Sequence, residues 1–335
     1  MKNTKITIAD ISNALGISTV SVSRALSGQG GVSEELRKKI LEKANEMGYS
    51  RIKKDGRYNI LVLHKKPYAK DNSNFSYMLQ GIEKALQNAD MDYSMEFVDK
   101  NALDNLSFPF KISKGANFDG AILIGSFNNE YADFINKKVK NLIFCRGYAP
   151  NRNYDCVFYN YNNAGYTQCQ YLIKNGHKNI GFLGNKKLFR NREKLLGMSM
   201  ALEDNNLLFM PEYIFDTEED YQSKLEELIK SGRMPTGIIC EYDFTAIELI
   251  KTLYKKNIKV PDDISVIGSG NTEISLLSIP ALTTLDLNIE YTCEAAVSLL
   301  CRRIHNPKKP CESISVSCVL IERESVKNLN EETAI

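Results

Sequence analysis

The sequence predicts an α/β protein: a short all-α head, then a body of two doubly wound sub-domains. Three observations carry that prediction. The first fifty residues hold three closely spaced helix signals with their own caps. From residue 59 onward, short apolar runs alternate with stretches of helical period, and the series occurs twice. Charge is also divided: residues 1–58 carry eleven Lys or Arg against six acids, in a chain whose net charge is only +2. A basic head on a mildly acidic body suits a polyanionic partner for the head.

The head elements follow in order. Thr7 and Asp10 form a capping-box variant, and Ile8, Ile11 and Leu15 repeat along one helix face. Gly16 suits the left-handed residue that ends that helix. Ser18 caps a second helix whose Val22, Ala25 and Leu26 point inward. At 100° per residue, Val20 and Arg24 point the opposite way, flanked by Thr19 and Ser23. Gly28, Gly30 and Gly31 break the chain, and Ser33 caps a third helix with Leu36, Ile40, Ala44 and Met47 on one side until Gly48. Three short helices with the turn Gly16-Ile17-Ser18 make a helix-turn-helix. Its second helix would enter a major groove of duplex DNA. Thr19, Val20 and Arg24 would then meet base edges, with Arg24 suited to guanine. Thr7, Ser18 and Ser23 would hold phosphates. The alternative is a three-helix core that touches no DNA.

The body reads as parallel strands buried on both faces. Ile60–Leu63 precedes a helix through Phe75, Met78, Leu79, Ile82 and Leu86; Ala121–Ile124 and Leu142–Cys145 follow. The second series holds Ile180–Leu183, Gly237–Cys240 and Ile264–Ile267, with helices near 162–175, 191–205, 218–231 and 243–256. A ligand cleft would lie between the sub-domains, beyond the carboxyl ends of the strands.

Composition excludes other classes. The chain has 335 residues, 43% hydrophobic and 25% charged, enough for a substantial core. No apolar run approaches the roughly 18 residues of a membrane span. Met1-Lys2-Asn3-Thr4-Lys5 leads to Asp10 without a signal-peptide core, so a cytoplasmic location is expected. Eight cysteines, at 145, 156, 169, 240, 293, 301, 311 and 318, form no Cys-x-x-Cys pair and read as free thiols. His64, His177 and His305 are not spaced as metal ligands; neither metal nor cofactor is expected. His177 reads as a turn histidine bonded to backbone. Gly268-Ser269-Gly270 follows a strand, but Glu273 stands where a dinucleotide fingerprint needs its third glycine. No phosphate loop or nucleophile elbow occurs, so nothing supports an enzyme.

Several segments resemble the LacI/GalR family of bacterial repressors. In the head they are Thr7-Ile8-Ala9-Asp10-Ile11, Gly16-Ile17-Ser18, Val22-Ser23-Arg24-Ala25-Leu26, and Val32-Ser33 through Gly48-Tyr49. In the body they are Asn175 to Gly184, Val260 to Gly268, and Pro280-Ala281-Leu282-Thr283-Thr284. The resemblance covers nearly the whole chain. It implies a DNA-binding domain at 1–49, a linker at 50–58 and a periplasmic-binding-protein-like body at 59–330. With crossovers near 158, 287 and 317, sub-domain 1 would span about 59–158 and 288–316, and sub-domain 2 about 159–287 and 317–330. A last helix, roughly 290–304, would return to sub-domain 1. It also implies a cytoplasmic homodimer on a palindromic double-stranded operator, modulated by a small effector.

Two departures from the family pattern sharpen the expectations. The family's hinge helix, with Ala-Arg-x-Leu, is replaced by Ser50-Arg51-Ile52-Lys53-Lys54-Asp55-Gly56-Arg57-Tyr58-Asn59. Without the leucine wedge a straighter operator is expected. Arg51 and Lys53, with Lys54 and Arg57, would track phosphates instead. In the cleft, Cys145 precedes Arg146 where sugar-binding members have Asp. Lys194 stands three before Gly197 in place of Arg, with Arg192 nearby. Tyr242-Asp243 replaces Asn-Asp, and Gly270-Asn271 replaces Asp-Asp. Losing carboxylates while keeping Arg146, Arg192 and Lys194 tilts the cleft toward an anion, such as a sugar phosphate or a carboxylate. The expected function is a repressor of sugar- or carbohydrate-related genes. The alternatives are an effector-independent or protein-partnered regulator, or a solute-binding module with a vestigial head.

Overall fold

The computed structural model describes residues 6–27, 31–47, 57–65, 74–125, 127–146 and 154–330. The head is three helices: α1 (Ile8–Leu15), α2 (Thr19–Ser27) and α3 (Glu34–Glu46). Ile11, Val22, Ala25, Ile40 and Ala44 meet in its core, the stripes that the helical spacing singled out. The Thr7–Asp10 capping box is present in full, and Gly16 takes a left-handed φ of 63°. Ser18 Oγ accepts from Ser21 N (3.1 Å), and Ser33 Oγ accepts from Leu36 N (3.3 Å). Gly28, Gly30, Gly48, Tyr49, Arg51, Lys53 and the rest of the linker to Gly56 lie outside the described residues.

The body opens with β1 (Asn59–His64), α4 (Phe75–Asn88), β2 (Asp92–Phe97), α5 (Lys100–Asp104), α6 (Phe110–Ser113), β3 (Gly120–Ile124), α7 (Asn129–Asn136), β4 (Leu142–Cys145) and β5 (Asp155–Tyr159). Next come α8 (Tyr161–Lys174), β6 (Ile180–Leu183), α9 (Phe189–Asp204), β7 (Ile214–Phe215), α10 (Tyr221–Lys230), β8 (Gly237–Cys240), α11 (Asp243–Lys255), β9 (Ser265–Ile267), α12 (Glu273–Leu277) and β10 (Thr284–Asp286). The described chain closes with α13 (Ile289–His305), β11 (Ser313–Val316) and β12 (Val319–Ile321).

The first sheet has the order β11-β5-β4-β3-β1-β2, and every pairing in it is parallel. Side chains alternate faces along each strand. Ile60, Val62, Ile122, Ile124 and Ile143 pack under α4 and α13. Leu61, Leu63, Ala121, Leu123 and Phe144 pack on the other face with Val98, Leu103 and Tyr131. Each such side chain stabilises the fold by about 1.5–3 kcal/mol on burial, so a strand covered on both sides reads as an unbroken apolar run. The second sheet, β7-β6-β8-β9, is also parallel and covered on both faces.

The chain passes between the two lobes three times. It crosses from β5 into α8, returns from β10 into α13, and leaves β11 for β12, which pairs antiparallel with β10. The segment after β12 stitches the second lobe: Ser325 Oγ donates to Val266 O (2.6 Å), Lys327 N to Ser265 Oγ (2.9 Å), and Leu329 N to Asn175 O (2.8 Å). His177 contacts the same segment through Nε2 and the Lys327 carbonyl (3.0 Å), the backbone role read from its turn. At the opposite end of the first sheet, buried Asp155 accepts both guanidinium bonds of Arg303 (2.8 and 2.9 Å) and the Lys309 ammonium (2.8 Å). That fixes the end of α13 against β5.

One linker expectation is corrected. Arg57 is not left for phosphate: its Nε lies 3.0 Å from Asp90 and its Nη1 3.7 Å from Asp92, so the body's own carboxylates hold it.

Candidate DNA interface and effector cleft

In the head, the hydrophobic contacts of α2 leave its other face open. Thr19, Val20 and Arg24 are exposed, Val20 by 56%, and Ser23 is half-buried. Ser18 is exposed at the N-terminal end of α2, where backbone amides point outward. Thr7 is more constrained than the sequence suggests. Its hydroxyl donates to Asp10 Oδ2 (2.7 Å) and accepts from Asp10 N (3.3 Å), so it serves the cap first. The Thr7 hydroxyl and backbone N–H, both donating to Asp10 Oδ2, hold the carboxyl below its ordinary pKa. Arg37 was not among the expected residues. It reaches from α3 to the last turn of α2, donating to Ala25 O (2.9 Å) and Arg24 O (3.4 Å). A cation at that end complements the helix dipole and fixes the angle at which Arg24 is presented.

The cleft is built at the carboxyl ends of the strands of both lobes. Arg146 follows β4 with a left-handed φ of 59°. Its guanidinium reaches across to the second lobe, hydrogen-bonding Tyr161 at the start of α8 and lying near Tyr242 before α11. Burial works against its charge, but the phenols of Tyr242, Tyr161 and Tyr159 outweigh burial and raise its pKa. Burial likewise raises Tyr161, with Arg146 opposing. Arg190 of α9 stacks on the Tyr242 ring at 4.6 Å and donates to Glu241 (3.3 Å). Its Nε is buried and has no hydrogen-bond partner among the described residues. Two guanidinium groups thus converge on one tyrosine, one from each lobe.

Lys194 lies beneath this surface rather than on it. It is 2% exposed, and its ammonium donates to Ser269 Oγ (2.5 Å) and Glu241 O (3.2 Å). Burial pushes its pKa down to about 8, partly opposed by Cys318, Glu241 and Asp243. Asp243 is 1% exposed and spent on its neighbours: it accepts from Thr272 N (2.8 Å), Thr272 Oγ1 (2.7 Å) and the Thr284 hydroxyl. It shapes the loop after β9. Asn271 in that loop donates to Asp286 (2.9 Å) and accepts from Arg323 (2.6 Å).

Two expected cleft residues are corrected. Cys145 is fully buried in the first lobe's core, with Sγ 3.7 Å from Met78 Sδ, and burial raises its thiol to about 12. It offers a ligand no surface. Arg192 is exposed, and two residues from Arg190 it stands about 200° around α9, facing away. The helical spacing back from buried Gly197 gives Lys194 and then Arg190 on one face. Counting three and then seven residues back from that glycine is the signal that would have found Arg190. Tyr161 had no such signal, because its role depends on the crossover that brings α8 beside β4.

A helix-turn-helix joined to a two-lobed body is the architecture of a DNA-binding transcriptional regulator. Residues 7–51 match the model of bacterial regulatory proteins of the lacI family, and residues 169–326 match that of a periplasmic binding protein-like domain. The head therefore carries a lacI-type regulatory domain and the body a periplasmic binding protein-like domain, and the chain as a whole is similar to lacI-family regulators. It is 26% identical over 333 residues to the HTH-type transcriptional repressor PurR of Photobacterium profundum, covering 97% of this chain and 99% of that one. It is 25% identical over 341 residues to a probable repressor, ExuR, of Bacillus subtilis, with 97% and 99% covered. Among solved structures, the regulator CelR with cellobiose superposes with a TM-score of 0.69 at 18% identity, covering 96% of this chain and all of that one. The lac repressor dimer on operator with an anti-inducer gives 0.66 at 18%, with 97% and 100% covered. Among the described residues, no helix is long and apolar enough to cross a membrane.

Proposed function

We propose that this chain is a cytoplasmic repressor of sugar- or carbohydrate-related genes that binds a palindromic operator as a homodimer and releases or tightens on it when a small anion enters the cleft. The observation that carries the reading is the convergence of Arg146 and Arg190 on Tyr242 from opposite lobes. A carboxylate or phosphate seated between them would bond both lobes at once and favour closure. It moves the heads only by its differential affinity for the two states, typically about 1–3 kcal/mol. Asn271, Lys194 and Asp243 set the floor of the site. One relative is named a ribose operon repressor, and the CelR title names cellobiose; the missing carboxylates favour an anionic derivative here.

The homodimer reading is supported by an open apolar cluster on α12 and beyond: Leu276, Leu277 and Ile279 are 62%, 77% and 92% exposed. Tyr254 on α11, which packs against α12, is exposed as well. A second copy is the partner the family likeness supplies for such a patch. Thr7, Ser18, Thr19, Val20, Ser23 and Arg24, with Arg51 and Lys53 from the linker, form the DNA surface of this reading.

The test is a thermal-shift screen against neutral sugars, sugar phosphates and small carboxylates, followed by operator release. A ligand at 100 times its dissociation constant stabilises by about 2.7 kcal/mol. A phosphate or carboxylate hit that is lost in Arg190→Ala supports the anion site. A neutral-sugar hit that survives Arg190→Ala overturns it. Silence across all classes would leave an effector-independent or protein-partnered regulator.

A further inference from the structure

The six strands of the first sheet all run in parallel, so they all begin at one edge of the lobe. β1 begins there at Asn59, and the chain ahead of it leads back to the head. The nine residues between Met47 and Arg57 span no more than about 35 Å even when fully extended. A head seated on duplex DNA therefore tethers this edge of the body near the same duplex.

Charge on this edge is one-sided once its own pairs are set aside. Each described carboxylate is engaged. Arg57 holds Asp90 and Asp92, the Asn59 amide donates to Asp119 (2.9 Å), Arg303 and Lys309 hold Asp155 (2.8 Å each), and Arg302 and Lys309 hold Glu312 (2.9 Å each). Five lysines are left over: Lys114 ahead of β3, Lys137, Lys138 and Lys140 ahead of β4, and Lys308 ahead of β11. All five are exposed, and none holds an ion pair among the described residues. The Lys114 and Lys137 ammonium groups lie over the Phe110 and Phe134 rings, 5.6 and 5.7 Å from the centroids, which keeps both at the edge. Helix dipoles account for these two, the C-caps of α6 and α7, and not for the other three.

We infer that this edge of the body is a second phosphate-binding surface, which grips the backbone of the duplex that the head reads. The inference rests on the operator reading above and extends the DNA surface beyond the head and linker. A DNA strand presents a phosphate about every 3.4 Å, and a row of unpaired ammonium groups neutralises such a row and releases its counterions. Lysines act here as point charges on phosphate, so they add affinity and fix register without reading bases.

The test starts from an operator obtained by binding-site selection with the full chain. Its affinity is measured from about 50 to 200 mM salt for the wild type and for Lys137→Gln/Lys138→Gln/Lys140→Gln. A control removes the same charge from the strand-start edge of the second lobe: Lys178→Gln/Lys230→Gln/Lys255→Gln, three exposed lysines ahead of β6, β8 and β9. The first variant should bind about tenfold or more weakly, and its salt slope should flatten by about two or more, with base preference unchanged. The control should match the wild type. An unaltered slope and affinity in the first variant, an equal loss in the control, or a changed base preference overturns this inference and leaves the operator reading standing. Failure of the full chain to select any site removes both.

Discussion

Gly165 lies so close to Lys194 that a methyl group on its α-carbon would sit 2.0 Å from the Lys194 carbonyl oxygen. Gly197 stands in the same relation to Asn162, at 1.9 Å. The α8 and α9 backbones therefore cross in near contact at two points. This crossing carries Tyr161 and Arg190 to the cleft on one rigid pair. In an exposed helix, Gly→Ala stabilises by about 1 kcal/mol. Here the sign should reverse. Gly165→Ala and Gly197→Ala should each destabilise the body by about 3 kcal/mol, the upper end of overpacking costs. Urea melts decide it, and an unchanged or higher midpoint would refute the close crossing.

Lys194 predicts an alkaline gain in stability. Its pKa is near 8 in the fold and 10.5 as a free side chain, because burial disfavours the charge. Below about pH 8 the ammonium is charged in both states, and its burial opposes folding. Between pH 8 and 10.5 the native state has released the proton while the unfolded state still holds it, so stability rises. The gain over Lys194→Met should reach about 3 kcal/mol across that window. A difference between the two proteins that stays flat from neutral pH to pH 10.5 would show that Lys194 is hydrated instead.

Arg24 and Arg37 separate reading from positioning. Arg24→Ala should cost about 1–3 kcal/mol of specific affinity and relax preference at one base pair. Arg37→Ala should blur preference at several positions, since it frees the end of α2 rather than removing one contact. Binding-site selection with both variants distinguishes the two patterns. Identical base profiles for wild type and Arg24→Ala would remove Arg24 from the reading surface.

The layered α/β body was legible because its central strands are apolar on both faces: Ile60–Leu63, Ala121–Ile124 and Ile180–Leu183 cannot be solvated. The edge was not. In β2, Asp92–Phe97 mixes acids with aromatics, because one side of its ladder and part of each face remain open. The short helices α5, α6 and α12 hold four or five residues, too few for a periodic signal. In the cleft, motif position led to Arg146, which does face the second lobe, but also to Cys145 and Arg192, which do not face the cleft, and it missed Arg190. The difference is one of direction. A strand end buries every second side chain, and a helix shows solvent only part of its circumference. Asp243 illustrates the remaining gap: nothing in its neighbourhood in sequence shows that Thr272 and Thr284 will claim its oxygens.

The threefold passage between lobes also sets a timetable for synthesis. The head is complete once α3 has emerged, and domains tend to fold in that order on the ribosome. Neither lobe can follow it promptly. The first sheet lacks its outer strand until β11 is made, and the second lobe keeps the Val266 carbonyl and Asn175 carbonyl unpaired until Ser325 and Leu329 arrive. A nascent chain therefore displays a finished DNA-reading head on two half-built lobes for most of its translation. A chain stopped between α13 and β11 would keep that head on a body whose first sheet lacks its outer strand.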